Sequence, residues 1–142
     1  MTMPGRMRRR TFLLGAAGLG VSLAWRSSGP WPLLETPPSP SERLARFLKH
    51  DESARAIGRE YLRAVPAEAS PKALVGRVAE RLPGGLRAVE TAPDDRLREF
   101  VLRATTEDFR DLRTVELHGW VLAQTEARLC ALAALGEDPA PA

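Results

Sequence analysis

Residues 114–135 read TVELHGWVLAQTEARLCALAAL, and this stretch decides the fold because its hydrophobic period changes midway. Val115, Leu117, Gly119 and Val121 alternate with Glu116, His118, Trp120 and Leu122, which suggests a short extended segment or a buried turn around Gly119. From about Thr125 the spacing turns helical, with Leu129, Cys130, Leu132, Ala133 and Leu135 apolar and Gly136 closing the helix. The chain therefore enters its last helix through a tight change of direction. That helix has to be covered by others.

Those others are legible upstream. Ser39 is placed to cap a first helix, Pro40 suits its first position, and Glu42 three residues after the cap completes a capping box. Leu44, Phe47 and Leu48 follow at i, i+3 and i+4. Asp51 is expected to cap a second helix carrying Ala54, Ile57, Gly58, Tyr61, Leu62 and Val65 on one stripe until Pro66 stops it, with Lys49-His50 as a kink or short turn. Ser70-Pro71 signals a third, with Leu74, Val75, Val78 and Leu82 inward and Pro83-Gly84-Gly85 ending it. None of these three is apolar all round, so each needs a partner helix. Residues 86–92 then read as a loop. Pro93-Asp94-Asp95 opens a fourth helix with acid at its positive end, and Leu97, Phe100, Val101 and Ala104 form its stripe. Thr105, Thr106, Glu107 and Asp108 resemble a fresh start, which puts Phe109 and Leu112 on a separate fifth helix. The expected fold is an all-α bundle of five or six short helices over residues 41–136, with a short extended segment near 114–122. A disordered tail is expected over 137–142.

The beginning of the chain has a different character. Arg6, Arg8, Arg9 and Arg10 precede a thirteen-residue apolar run from Phe12 to Ala24, with no acidic residue among them. About twenty residues are needed to cross a hydrocarbon core as a helix, so this run is too short for an ordinary anchor. It is also loosened by Gly15, Gly18 and Gly20. Arg9-Arg10 followed by one spacer and Phe12-Leu13 resembles a twin-arginine export signal. The resemblance implies recognition by the twin-arginine translocase, transient membrane contact, cleavage after Ala24 and delivery to the periplasm or outside the cell. Retention of the segment as an uncleaved anchor is the alternative. Residues 25–40, with five prolines beside Ser27, Ser28 and Gly29, read as a linker. Trp25, Trp31, Leu33 and Leu34 give it apolar character.

Setting residues 1–24 aside changes the charge reading. The chain has 21 basic and 18 acidic residues; removing four arginines leaves 17 against 18, a net charge of −1. A nucleic-acid partner loses its support, because phosphate binding needs a clustered basic excess. The 118 residues left (142 − 24) suffice for one modest core. A single cysteine, Cys130, excludes an internal disulfide and is most simply a small buried hydrophobe.

The inventory of chemistry is short. His50, His118 and Cys130 lie far apart and show none of the spacings of a metal or haem site, and no phosphate-binding loop or nucleophile elbow is present. A Cys130–His118 nucleophile pair lacks a recognisable oxyanion loop or orienting residue. Asp94-Asp95 and Glu107-Asp108 read as solvated helix starts, and Glu126 and Arg128 as capping and surface residues. Trp120 reads as an anchor in the core or at an interface, with Gly119 and His118 beside it. No cofactor and no catalytic residue is expected.

The Gly-Trp pair at 119–120, ahead of a Thr-Glu-Ala-Arg helix containing Cys130, resembles the C-terminal end of small uncharacterised bacterial exported proteins with twin-arginine signals. That likeness implies no activity. In organisation, a twin-arginine signal followed by a small helical domain is similar to the small subunits of exported flavin-dependent dehydrogenases. This implies a noncatalytic accessory subunit that crosses the membrane folded with a larger, cofactor-containing oxidoreductase subunit. A stand-alone periplasmic binding or structural protein is the second expectation.

Overall fold

The computed structural model describes residues 36–48 and 52–136, and the compact unit to which nearly all of them belong spans Pro38–Ala142. Helix α1 (Pro40–Ala45) starts as the sequence dictates. The Glu42 N–H donates to Ser39 Oγ at 3.3 Å and the Ser39 N–H donates to Glu42 Oε2 at 2.7 Å, a reciprocal capping box. Helix α2 (Glu52–Ala64) stops before Pro66, where a single 3₁₀ turn (Pro66–Glu68) begins. Its expected cap, Asp51, lies outside the described residues, as does Lys49-His50. Helix α3 (Pro71–Ala79) is capped by Ser70, whose Oγ accepts from the Ala73 N–H at 3.2 Å. Leu74, Val75 and Val78 on α3, and Leu82 in the turn after it, are all buried.

Two segments depart from the expectation. The stretch expected to be a loop forms helix α4 (Gly85–Thr91). Gly84 and Gly85, with φ of 87° and 59°, reverse the chain and let a new helix begin at once, burying Ala88 and Val89. Arg43 completes this helix from outside. Its guanidinium donates to the carbonyls of Val89 and Ala92 at the end of α4 and pairs with Asp94 at 2.9 Å, supplying partners that a seven-residue helix cannot provide for itself.

The second departure is helix α5 (Asp94–Arg110), which runs unbroken through the point where two helices were expected. Thr105 and Thr106 do not cap a new start. Each hydroxyl donates back to the carbonyl four residues earlier, Val101 and Leu102, at 3.0 Å, so both are satisfied within one helix.

After Leu112, which has φ of 56° and is exposed, strands β1 (Thr114–Leu117) and β2 (Trp120–Ala123) form an antiparallel hairpin. The register pairs Thr114 with Ala123, Val115 with Leu122, Glu116 with Val121 and Leu117 with Trp120. Helix α6 (Gln124–Leu135) follows without a loop. The fold is thus mostly helical, six α-helices among the described residues, with one two-stranded sheet where the period-2 pattern stood.

Helix α6 is the centre of the core. Ala127, Leu129, Cys130, Ala131, Leu132 and Ala133 are all buried, so no side of it is left to solvent along this stretch. Helices α1, α2, α3 and α5 and the hairpin pack around it. Its small residues admit close neighbours, and α2 comes closest. A Cβ at Gly58 would lie 2.0 Å from the Cys130 carbonyl oxygen, so the two backbones touch there and only glycine fits.

Candidate functional site

The hairpin tip is the most distinctive surface of the molecule. His118 and Gly119 are its two central residues, with φ of 52° and 80°. Positive φ at both positions makes a type I′ turn, whose twist matches that of the strands it joins. Gly119 adopts this readily, whereas His118 is a non-glycine residue held in the left-handed region. Leu117, Leu122 and Ala123 are buried and root the strands in the core. Trp120 and Val121, between those roots and the tip, are 70% and 58% exposed.

Trp120 is paired with Leu117 and so shares the face of the hairpin that turns toward the core, yet it lies beyond the core's edge. There it borders an open groove of about 280 Å³ between the hairpin and α2, lined by Ala56, Ile57, Glu60, Leu117, His118 and Trp120. One polar contact closes the groove. His118 Nε2 lies 3.1 Å from Glu60 Oε2, tying the tip to α2. The contact with His118, and then that with Arg63, hold the Glu60 carboxyl below the usual carboxylate range. Because both partners are at the surface, this pair orients more than it stabilises.

The roots of the hairpin are fixed by a group that sequence reasoning placed in solvent. Asp108 on α5 is 1% exposed. Its Oδ2 accepts from the backbone N–H and the hydroxyl of Thr125, at 2.8 and 2.6 Å, at the start of α6. Its Oδ1 lies 3.3 Å from Arg81 Nε and 3.3 Å from Arg113 Nε. Ala123, the residue at the cap position of α6, offers no side-chain acceptor, so Asp108 caps that helix from a neighbouring element. A sequence signal existed. Leu97, Val101, Ala104 and Asp108 fall at successive helical spacings, which puts Asp108 on the inward stripe.

A second network sits at the C-terminal end of α2. Arg128 was expected at the surface, but its side chain is nearly buried and grips Glu68 through two bonds, Nε to Oε2 and Nη2 to Oε1, each 2.9 Å. The Tyr61 hydroxyl donates to Glu68 Oε2 at 2.7 Å. Arg128 foremost, helped by Tyr61, holds Glu68 below the carboxylate range, although burial opposes it. Burial and then the bond to Glu68 push the Tyr61 phenol up to about 12. Burial works against the charge of Arg128, and the bond from Glu68 outweighs it, so that the net direction is upward. The residues join α2, the 3₁₀ turn and α6 into a structural clamp.

Other candidates resolve simply. Cys130 is buried under α2, while His118 is exposed at the tip and held by Glu60, so no accessible Cys–His nucleophile pair is assembled. Among the described residues no three His, Cys, Asp or Glu side chains are grouped to hold a metal ion. Arg9, Arg10, Phe12, Leu13 and Ala24 lie outside the described residues, and among the described residues no helix is long and apolar enough to cross a membrane. No protein-family model, curated protein or solved structure matches the chain.

Proposed function

We propose that the chain is a noncatalytic accessory subunit of an exported oxidoreductase, carried across the membrane in folded form by the twin-arginine translocase together with a larger, cofactor-containing subunit. The observation that carries this reading is Trp120, a large aromatic 70% exposed on a turn rooted in the core at both ends. Exposed aromatics on rigid supports are the groups that dominate protein–protein affinity, because they bury much area and lose little freedom on binding. Trp120 contacts the partner, with His118 and Gly119 shaping the turn that presents it. The Arg9-Arg10 pattern supplies the address, and a route that moves folded cargo accounts for a small subunit travelling with a loaded one.

The test begins with recovery of the chain from the exported fraction and a search for a stoichiometric larger protein. Trp120→Ala should then weaken the association by about 2 kcal/mol or more, while the melting temperature of the isolated chain stays nearly constant. An exported chain that recovers no larger protein would favour a stand-alone periplasmic binding or structural protein instead. Export itself is tested by Arg9→Lys with Arg10→Lys. Two ammoniums do not reproduce the planar, multidentate guanidiniums, so the variant should fold and remain in the cytoplasm. Normal export of it would remove the twin-arginine route from the proposal.

A further inference from the structure

A two-stranded hairpin is only marginally stable by itself, so its far end takes its order from what it touches. Asp108 fixes the base of this one, and the tip stands a strand's length away, at His118 and Gly119. Asparagine followed by glycine is the pair that most favours a type I′ turn. This chain has histidine in the first place instead, with φ of 52°. An asparagine amide would suit the backbone there, but it ends one bond short of the position that Nε2 occupies, 3.1 Å from Glu60 Oε2. The imidazole therefore adds a reach that the turn itself does not ask for. The acceptor is held ready. Arg63 binds the other oxygen of the Glu60 carboxylate, and His118 and then Arg63 hold that carboxyl below the usual range.

Glu60 also stands on a firmly held stretch of α2. Two residues before it Gly58 lies against the Cys130 backbone of α6, and one residue after it Tyr61 bonds to Glu68, which Arg128 of α6 grips. We infer that Glu60 is a positioning residue of the Trp120 turn: acting through His118, it clasps the tip of the hairpin to α2 and sets the direction of the indole beside it. Only Gly119 separates His118 from Trp120, so a displacement of the imidazole carries the indole with it. Glu60 acts here without touching the larger subunit. What it contributes is order in the free chain, and order already present is freedom that binding does not have to remove. The value of that order for association rests on the recognition role proposed above for Trp120; the clasp itself does not.

The clasp is read in the free, full-length chain by ¹⁵N relaxation at the amides of residues 117–121 and at the Trp120 indole N–H. Rigid backbone has an order parameter of about 0.85 and flexible backbone one below about 0.6. Glu60→Ala should move the tip from the first range toward the second, and so should His118→Asn, which keeps the turn but loses the reach. Glu60→Gln should restore most of the order, because its amide oxygen still accepts from the Nε2–H. The melting temperature should change little in all three, since an exposed pair adds little stability. Tip order unaltered in Glu60→Ala, or lost equally in Glu60→Gln, overturns the inference. Association with the larger protein is the second arm. Glu60→Ala should weaken it about three- to tenfold, and should add nothing once Trp120→Ala is present, as expected of two residues that act as one unit. Association that weakens with Trp120→Ala and ignores Glu60→Ala overturns the positioning role and leaves the reading of Trp120 in place. Association that ignores Trp120→Ala removes that reading instead, and the order of the free tip still decides the clasp.

Discussion

Gly58→Ala should cost this protein more stability than any other single added methyl group within its helices. An ideal Cβ at that position lies 2.0 Å from the Cys130 carbonyl oxygen, 2.4 Å from its carbonyl carbon and 2.8 Å from the Ala131 nitrogen. Ordinary contact begins at 3.4 Å, so α2 and α6 must separate by 3.4 − 2.0 = 1.4 Å. The obstacle is helix backbone on both sides and has no rotamer to change. A gap of that size along the most extensive helix pair among the described residues forfeits about half or more of the dispersion energy across it. Overpacking of this kind costs roughly 3 to 4 kcal/mol, above the usual 1 to 3, because neither backbone yields. Alanine's better helix propensity returns about 1 kcal/mol, leaving a net loss of about 2 to 3 kcal/mol and a melting temperature lower by about 8 to 24 °C for a domain of this size. Gly76→Ala is the internal control. The same methyl there meets nothing among the described residues, so it should stabilise by about 0.5 to 1 kcal/mol. Urea unfolding followed by circular dichroism measures both. Equal and small effects of the two substitutions would refute the backbone contact between α2 and α6.

The other predictions concern charged groups. Asp108→Asn should destabilise by ~3 kcal/mol, the low end for breaking a buried ion pair because both arginines also reach solvent; denaturant melts should show it, and a change under 1 kcal/mol would mean that the Asp108 charge is not what Arg81 and Arg113 hold in the core. Glu68 has a lowered folded pKa, so its contribution is present above the unfolded carboxylate value and is lost as pH falls through the folded one; Glu68→Gln should flatten the acid limb of the stability–pH curve measured by melting at constant salt. Tyr61 has a raised folded pKa, so its contribution is complete below the unfolded phenol value near 10 and disappears as pH rises toward about 12; Tyr61→Phe should remove that alkaline limb.

The sequence disclosed most where a residue type has one physical use. Ser39-Pro40 with Glu42 and Ser70-Pro71 announced the starts of α1 and α3, because a side-chain cap followed by proline suits little else. The alternation over 114–122 indicated the extended segment, and positive φ at His118 and Gly119 shows why a two-residue turn suffices. It disclosed least where meaning depends on a distant partner. Gly84-Gly85 was read as a stop, and nothing local shows that Arg43 would satisfy the end of α4 from forty-six residues away. Thr105-Thr106 has the composition of a cap, and only the continuing helix reveals that both hydroxyls turn back on it. For Trp120 the pattern left core and interface open. Burial removes only the first of these, since the core ends at Leu117 and Leu122, short of the indole.

The exposed turn and the buried network are two ends of one construction. Because Thr125 and Ala127 in the first turn of α6 are fully buried, the N–H groups there cannot all turn to water, and Ala123 cannot accept them. Asp108 accepts instead, and two arginines balance its charge, which is why a carboxylate is tolerated in this core. Fixing the first turn of α6 also fixes β2, since no residue separates Ala123 from Gln124. The Gln124 N–H donates to the Arg113 carbonyl at 3.0 Å and the Arg113 N–H to the Asp108 carbonyl at 2.8 Å, so the base of β1 is held by the same residue. Both strands therefore leave the core from one anchored point, and the short type I′ turn gives the tip little freedom of its own. Trp120 is thereby held in the open, 70% exposed. An indole carried on so short and anchored a support loses little freedom when it is covered, and the recognition role proposed for Trp120 relies on that.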